Sequence, residues 1–335
     1  MKLGWALDHH VPDSVERQLV AAADRDRLDS IWTMENHHLR DGVTTAAVTL
    51  ERTHNVRVVM GTLSPFFRHP VEIGLTLANL VRMYPGRCGL NIGQGMPETL
   101  ERLGISVAHP VQRLRETIQI IQLLFKGERF AFEGEHFHIE KHRLSGDLLE
   151  LPPIFIGAMG PRLISLAGEI ADGVNLPLAS SPEYIAESVN RFLEGARAAG
   201  RDRSRLTVAS EVLVQVGDDG DDLAGVRRLL GFHFSSKYFE KVAAPAGIKL
   251  DHPAIKEAFL SRSPEELRKV LPDEVVHTFA AVGTAPQILA RLRKYWDCGL
   301  DLIILYTAGT GEERLRTMHE LVGAAKKEGV GAAGA

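Results

Sequence analysis

Four short segments of this chain carry residue types from which a catalytic site can be built. The first is Trp32-Thr33-Met34-Glu35-Asn36-His37-His38, a carboxylate, an amide and two imidazoles in a row. Histidine is the side chain that titrates nearest neutrality, so Glu35, Asn36 and His37 are the candidate catalytic residues for moving or orienting a proton. Taken without its context, the same run also suits a solvated helix cap. The second is Gly61-Thr62-Leu63-Ser64-Pro65-Phe66-Phe67. Glycine at the end of an apolar run permits a bulge or a close backbone approach, and the apolar residues after it offer surface to a planar ligand; the competing reading is a proline-stiffened turn.

The third segment, Asn91-Ile92-Gly93-Gln94-Gly95-Met96, contains a GxG in which Gly93 and Gly95 are candidate ligand-binding positions. It is not a dinucleotide fingerprint, because Glu98 stands where the third glycine of GxGxxG belongs. The fourth, Ile156-Gly157-Ala158-Met159-Gly160-Pro161-Arg162, runs from an apolar stretch straight into a helical pattern. Small residues there leave backbone N–H groups facing outward, the helix dipole favours an anion, and Arg162 adds positive charge, so Ala158, Met159, Gly160, Pro161 and Arg162 read as a phosphate seat. The alternative is a plain helix start with a solvated arginine.

Other chemistry is poorly supported. His136 and His138 share a strand face, but no third ligand stands near them in sequence, so no metal site is expected. Cys88 and Cys298 are far apart and belong to no CxxC, and no GxSxG elbow occurs. A net charge of −4 provides no basic field for a nucleic acid. No run approaches the ~20 apolar residues of a membrane span, and the apolar N-terminal stretch is too short for a secretion signal. The expectation is a cytoplasmic protein with no nucleic-acid or membrane partner.

The elements that must position these segments alternate. Short apolar or β-branched runs at residues 3–7, 30–34, 56–62, 88–92, 154–158, 173–176, 206–214 and 302–306 are separated by segments of helical period. Several of those begin at proline, whose missing N–H costs nothing in a first helical turn. Eight strand-helix units predict an α/β fold, a (β/α)8 TIM barrel, whose active site lies where the strands end in their βα loops; the four segments all follow predicted strands. Residues 1–328 are expected to form one barrel domain with insertions at about 127–150 and 217–276, followed by a flexible tail at 329–335. The first insertion contains Phe130-Ala131-Phe132-Glu133-Gly134-Glu135-His136-Phe137-His138-Ile139, an alternating pattern that reads as a hairpin. The second reads as helical and as a lid or a decoration.

Three motifs together resemble the bacterial luciferase-like oxidoreductases, and most of all their deazaflavin-dependent branch of methylenetetrahydromethanopterin reductases. They are Leu90-Asn91-Ile92-Gly93-Gln94-Gly95; Arg113-Leu114-Arg115-Glu116 followed by Phe132-Glu133-Gly134-Glu135-His136-Phe137; and Ala158-Met159-Gly160-Pro161 followed by Ala167-Gly168-Glu169-Ile170-Ala171-Asp172-Gly173. The resemblance spans nearly the whole chain. It implies a luciferase-like barrel, a homodimer, and a non-prolyl cis peptide at Gly61-Thr62 that backs the cofactor ring. It also implies cofactor binding at Gly61, Thr62, Gly93, Gly95 and residues 158–162, and an acid-histidine pair after strand two, where this sequence interposes Asn36 between Glu35 and His37. The implied activity is hydride transfer between coenzyme F-420, a deazaflavin, and an organic substrate. An FMN-dependent monooxygenase is the alternative, and a non-catalytic anion-binding barrel is the alternative of another class. A hydrolase is a distant third.

Overall fold

The computed structural model describes residues 1–8, 10–37, 39–217 and 223–330. In chain order the first half contains β1 (Lys2–Leu7), α1 (Asp13–Arg25), β2 (Ser30–Thr33), α2 (Gly42–Glu51), β3 (Arg57–Leu63), α3 (Pro70–Met83), β4 (Cys88–Gly93), α4 (Pro97–Arg102), α5 (Pro110–Phe125), β5 (Phe130–Glu133) and β6 (His138–His142). Then come β7 (Ile154–Gly157), α6 (Pro161–Ile170), β8 (Gly173–Leu176), α7 (Pro182–Ala198) and β9 (Thr207–Val216). The chain continues with α8 (Ala224–Phe234), α9 (Glu240–Ala243), α10 (His252–Ser261), α11 (Pro264–Val270), α12 (Asp273–Phe279), β10 (Ala280–Gly283), α13 (Ala285–Asp297), β11 (Leu302–Thr307) and α14 (Gly311–Lys327).

The parallel strands β1, β2, β3, β4, β7, β8, β9 and β11 pair in that order, and β11 pairs with β1, which is the closed eight-stranded barrel expected of the fold. All eight match the apolar runs of the sequence. They read as unbroken runs because a parallel strand covered on both faces has no polar side: every residue of β2, β4, β8 and β11 is buried. β10 was not foreseen and pairs with β9, Ala280 against Leu213 through Gly283 against Val216. The hairpin of the first insertion is present as β5 and β6, and the helical second insertion as α8 to α12. The part of the second insertion at 218–222, the end of the tail at 331–335, and His38 lie outside the described residues.

Two compact units make up the chain. The first comprises Met1–Ile31, Leu176–Asn190 and Thr207–Ala335. Within it β9, β10, β11 and β1 are neighbours, and α14 begins at Thr310 in a full capping box: the Thr310 hydroxyl accepts the Glu313 N–H at 3.4 Å, and the Glu313 carboxylate accepts the Thr310 N–H at 2.5 Å. The second unit comprises Trp32–Asn175 and Arg191–Leu206. Its strands β3, β4, β7 and β8 are paired side by side, with Leu90 to Gly93 of β4 against Ile154 to Gly157 of β7.

In the second unit the tip of the β5–β6 hairpin is held from below by a carboxylate. Buried Glu116 of α5 accepts the backbone N–H groups of Glu135, His136 and Phe137 at 2.8, 2.9 and 3.2 Å. Burial alone would raise its pKa, but the hydrogen bonds from Gln112, His136 and Glu135 outweigh it and hold the carboxyl below its usual range. Among the described residues no helix is long and apolar enough to cross a membrane.

Candidate active site

Every predicted site residue falls in the second unit, at a strand end or just beyond it. β3 and β4 are in register up to Met60 and Leu90, shift by a bulge, and resume at Leu63 and Ile92. Inside that bulge the Gly61–Thr62 peptide bond is cis, at the bond the family resemblance singles out. Gly61 has φ +130° and a Cβ there would collide with the Asn91 carbonyl, so only glycine fits. Gly93 is equally confined: a Cβ would come within 2.6 Å of Thr62 Cγ2 and 3.1 Å of the Gly157 carbonyl oxygen. Gly93 pairs with Gly157, and the Thr62 side chain fills the space that a Cβ on either glycine would take, its Cγ2 lying 2.6 and 3.2 Å from those two positions.

Asn91 fixes this arrangement from inside the sheet. It is 1% exposed, and its Nδ2 donates to Thr62 Oγ1 at 2.8 Å, which sets the threonine beyond the cis bond. Its Oδ1 is buried with no hydrogen-bond partner, 3.6 Å from where a Cβ of Gly157 would stand. A single polar residue in the apolar run of β4 was the signal that could have marked Asn91 as a site residue. Gly95, just past β4, has φ +83° and lies beside Ser64, whose hydroxyl donates to the Gln94 carbonyl at 2.8 Å.

From Gly157 the chain enters α6 through Ala158, Met159 and Gly160. Gly160 is the N-cap and Pro161 the first helical residue, and no side chain caps the start. Arg162 is exposed. The Ala158 N–H donates to the Asn175 carbonyl and the Leu163 N–H to the Gly160 carbonyl, so what this helix start holds out to an anion is its dipole and the exposed Arg162 rather than a row of unused N–H groups.

The segment after β2 is tied down more firmly than its sequence suggested. Asn36 and Arg40 exchange backbone hydrogen bonds at 3.0 Å each, making a tight turn. The Glu35 carboxylate, 6% exposed, accepts the Gly42 N–H at 2.5 Å and Arg68 Nη2 at 3.0 Å, and lies 3.7 Å from His37 Nδ1. Arg68 also pairs with Asp41. Burial by itself would lower the Arg68 pKa, yet Glu35 and Asp41 raise it above the ordinary arginine value. The Asp41 carboxyl, despite a burial effect in the other direction, is held low by Thr44 and Arg68. His37 packs on Phe67 with ring centroids 3.8 Å apart. The structure therefore joins the loop after β2 to the loop after β3, through Arg68 and Phe67, neither of which the sequence marked as a partner of Glu35 or His37.

In the first unit a second polar group sits at the strand ends. Asp8, just after β1, receives Arg314 Nη1 at 2.5 Å, while Arg314 Nε donates to the Gly309 carbonyl at 3.0 Å. Burial, with Asp8 and Glu211 adding to it, pushes the Tyr306 phenol well above its usual pKa. These residues pin β1 and β11 to α14. Nothing in their spacing announced them, because Asp8 and Arg314 are 306 positions apart.

The sequence model of the family described as luciferase-like monooxygenase matches residues 3–302. The chain belongs to this family. Among luciferase-like relatives, the 5,10-methylenetetrahydromethanopterin reductase of Archaeoglobus fulgidus is 25% identical over 302 residues, covering 88% of this chain and 90% of that one. An F420-dependent glucose-6-phosphate dehydrogenase of Nakamurella multipartita is 28% identical over 322 residues, covering 90% and 88%. The solved structure of the coenzyme F420-dependent tetrahydromethanopterin reductase from Methanopyrus kandleri superposes with a TM-score of 0.79 at 17% identity, covering 96% of this chain and 99% of that one, and so has the same fold.

Proposed function

We propose that this luciferase-like protein is an oxidoreductase that transfers a hydride between coenzyme F-420 and a small organic substrate. The observation that carries the proposal is the set of strand ends in which Gly61, Gly93 and Gly157 close round Thr62 and lead into the uncapped start of α6. The residues fit such a group. Glycines and one threonine stand at these strand ends, the orphaned Asn91 Oδ1 is an acceptor awaiting a donor, and the α6 dipole with Arg162 suits a phosphate. One relative carries a name that supports the cofactor class, an F420-dependent glucose-6-phosphate dehydrogenase.

In this reading Gly61, Thr62, Gly93 and Gly95 back the ring, and residues 158–162 hold the phosphate. When bound, the deazaflavin supplies a carbon that accepts or gives hydride. The chain contributes orientation and electrostatics. Glu35 is engaged by Gly42 and Arg68, so its role is to position the loop. His37, a quarter exposed and stacked on Phe67, is the group that holds or passes a proton at the substrate, with the Asn36 turn setting its direction. The protein acts as a cytoplasmic homodimer in the same reading.

Titration of the purified chain with F-420 and with FMN, followed by absorption and fluorescence, tests it. Saturable binding of F-420 and none of FMN is expected. Tight FMN binding with oxygen uptake by the reduced flavin, and no binding of F-420, would replace it with the monooxygenase reading.

A further inference from the structure

We propose that His109, Glu135 and His136 form a site for a divalent transition-metal ion of the zinc class, which staples the β5–β6 hairpin to the start of α5. The sequence offered no third ligand for the hairpin histidines, and His138 turns away to pair with Glu133 at 2.5 Å. The fold supplies it from another element: His109 is the N-cap of α5, with φ 49°. Nδ1 of His109, a carboxylate oxygen of Glu135 and a ring nitrogen of His136 all lie within 4.8 Å of one another.

The cluster has the properties a built site needs. The His136 side chain is only 10% exposed, and its buried Nε2 has no hydrogen-bond partner, 3.8 Å from Glu135 Oε1. His109 Nδ1 contacts the same Glu135 oxygen. Two of the three ligands stand on a hairpin tip that Glu116 already fixes by three backbone hydrogen bonds, so little ordering remains to be done on binding. His109 and Glu135 are 67% and 50% exposed, which gives the ion an entry path and leaves a fourth position for water.

Two imidazoles and a carboxylate suit zinc, with metal–ligand distances of about 2.0–2.2 Å, and do not suit magnesium or calcium, which take oxygen donors. One charge opposes the ion. Arg113 Nη2 lies 3.5 Å from His136 Nδ1, at the outer limit of a hydrogen bond, and its guanidinium is stacked over Phe66 at 4.8 Å and Phe137 at 5.2 Å. Ligation through Nε2 leaves the proton on Nδ1, so that contact is repulsive in the bound form and only partly offset by the Glu116 carboxylate. The affinity expected is micromolar, weaker than that of a closed structural zinc site.

The test uses the full-length chain without an affinity tag, stripped with EDTA and titrated with Co2+ and then Zn2+. One equivalent of Co2+ with a visible absorption band, displaced by Zn2+, is expected. His109→Ala and Glu135→Gln, both at exposed positions, should each weaken Zn2+ binding by roughly tenfold or more, and the rise in melting temperature on adding Zn2+ should disappear in both. His138→Ala, on the same hairpin, should bind like the parent. Absence of a stoichiometric Co2+ band, or His109→Ala and Glu135→Gln chains of unchanged circular dichroism that bind Zn2+ as the parent does, would overturn the proposal.

Discussion

The starts of α6 and α14 are assembled from the same parts and serve opposite ends. Each follows a buried parallel strand through a short loop containing glycine. At α14 the third helical residue is Glu313, whose carboxylate returns to the N-cap and satisfies the free N–H there. At α6 the third residue is Leu163, the cap is Gly160, and no side chain returns. The N-cap and the residue three places on thus decide together whether the positive end of the dipole is closed by the protein's own side chains. The hairpin tip, closed by Glu116, belongs with α14 in this respect.

That contrast can be broken by making α6 resemble α14. The pair Gly160→Ser and Leu163→Glu installs a capping box at α6 and should weaken F-420 binding by on the order of a hundredfold, because a carboxylate then repels the phosphate from its seat; fluorescence titration reads it, and unchanged affinity would mean that the seat lies elsewhere. At the hairpin tip, Glu116→Gln removes a charge that three N–H groups share and should cost about 2 kcal/mol in urea unfolding. Its pH dependence is fixed in sign. The folded pKa is depressed, so the stabilisation is whole above the unfolded value of about 4.3 and is lost as pH falls through the folded one. The Gln variant should show a shallower acid limb.

Smaller effects sharpen the same contrast. Arg162→Ala keeps the open helix start but removes its charge, and should weaken F-420 by roughly tenfold without moving the melting temperature. Thr310→Ala opens α14 and should cost about 1 kcal/mol of stability in thermal or urea unfolding, with F-420 affinity unaltered. A Thr310→Ala chain that lost cofactor instead would erase the distinction between the two helices.

The barrel was legible because its signal is local: apolar runs such as Cys88 to Ile92 and Leu302 to Tyr306 announce strands buried on both faces. The phosphate-seat candidate was legible for the same reason, since a strand, small residues, proline and arginine follow one another directly. What escaped was set by pairing across the chain. Glu35 meets Arg68 from 33 positions away, and His109 reaches a hairpin 26 positions on. β10 escaped because Ala280-Ala281-Val282-Gly283 is too short and too small to show a period, and becomes a strand only by adding to β9. Asn91 was visible as a residue but not as a constraint on Thr62.

The packing of Gly61, Gly93 and Gly157 round Thr62 has a consequence for selectivity. In the proposed role, a ring laid there would meet backbone and one threonine, which recognise flatness and little else. Two rings that differ by one atom in the same plane would present the same face there and could not be told apart. The choice between them falls to groups at the rim, and a change of cofactor within such a fold could leave its glycines untouched.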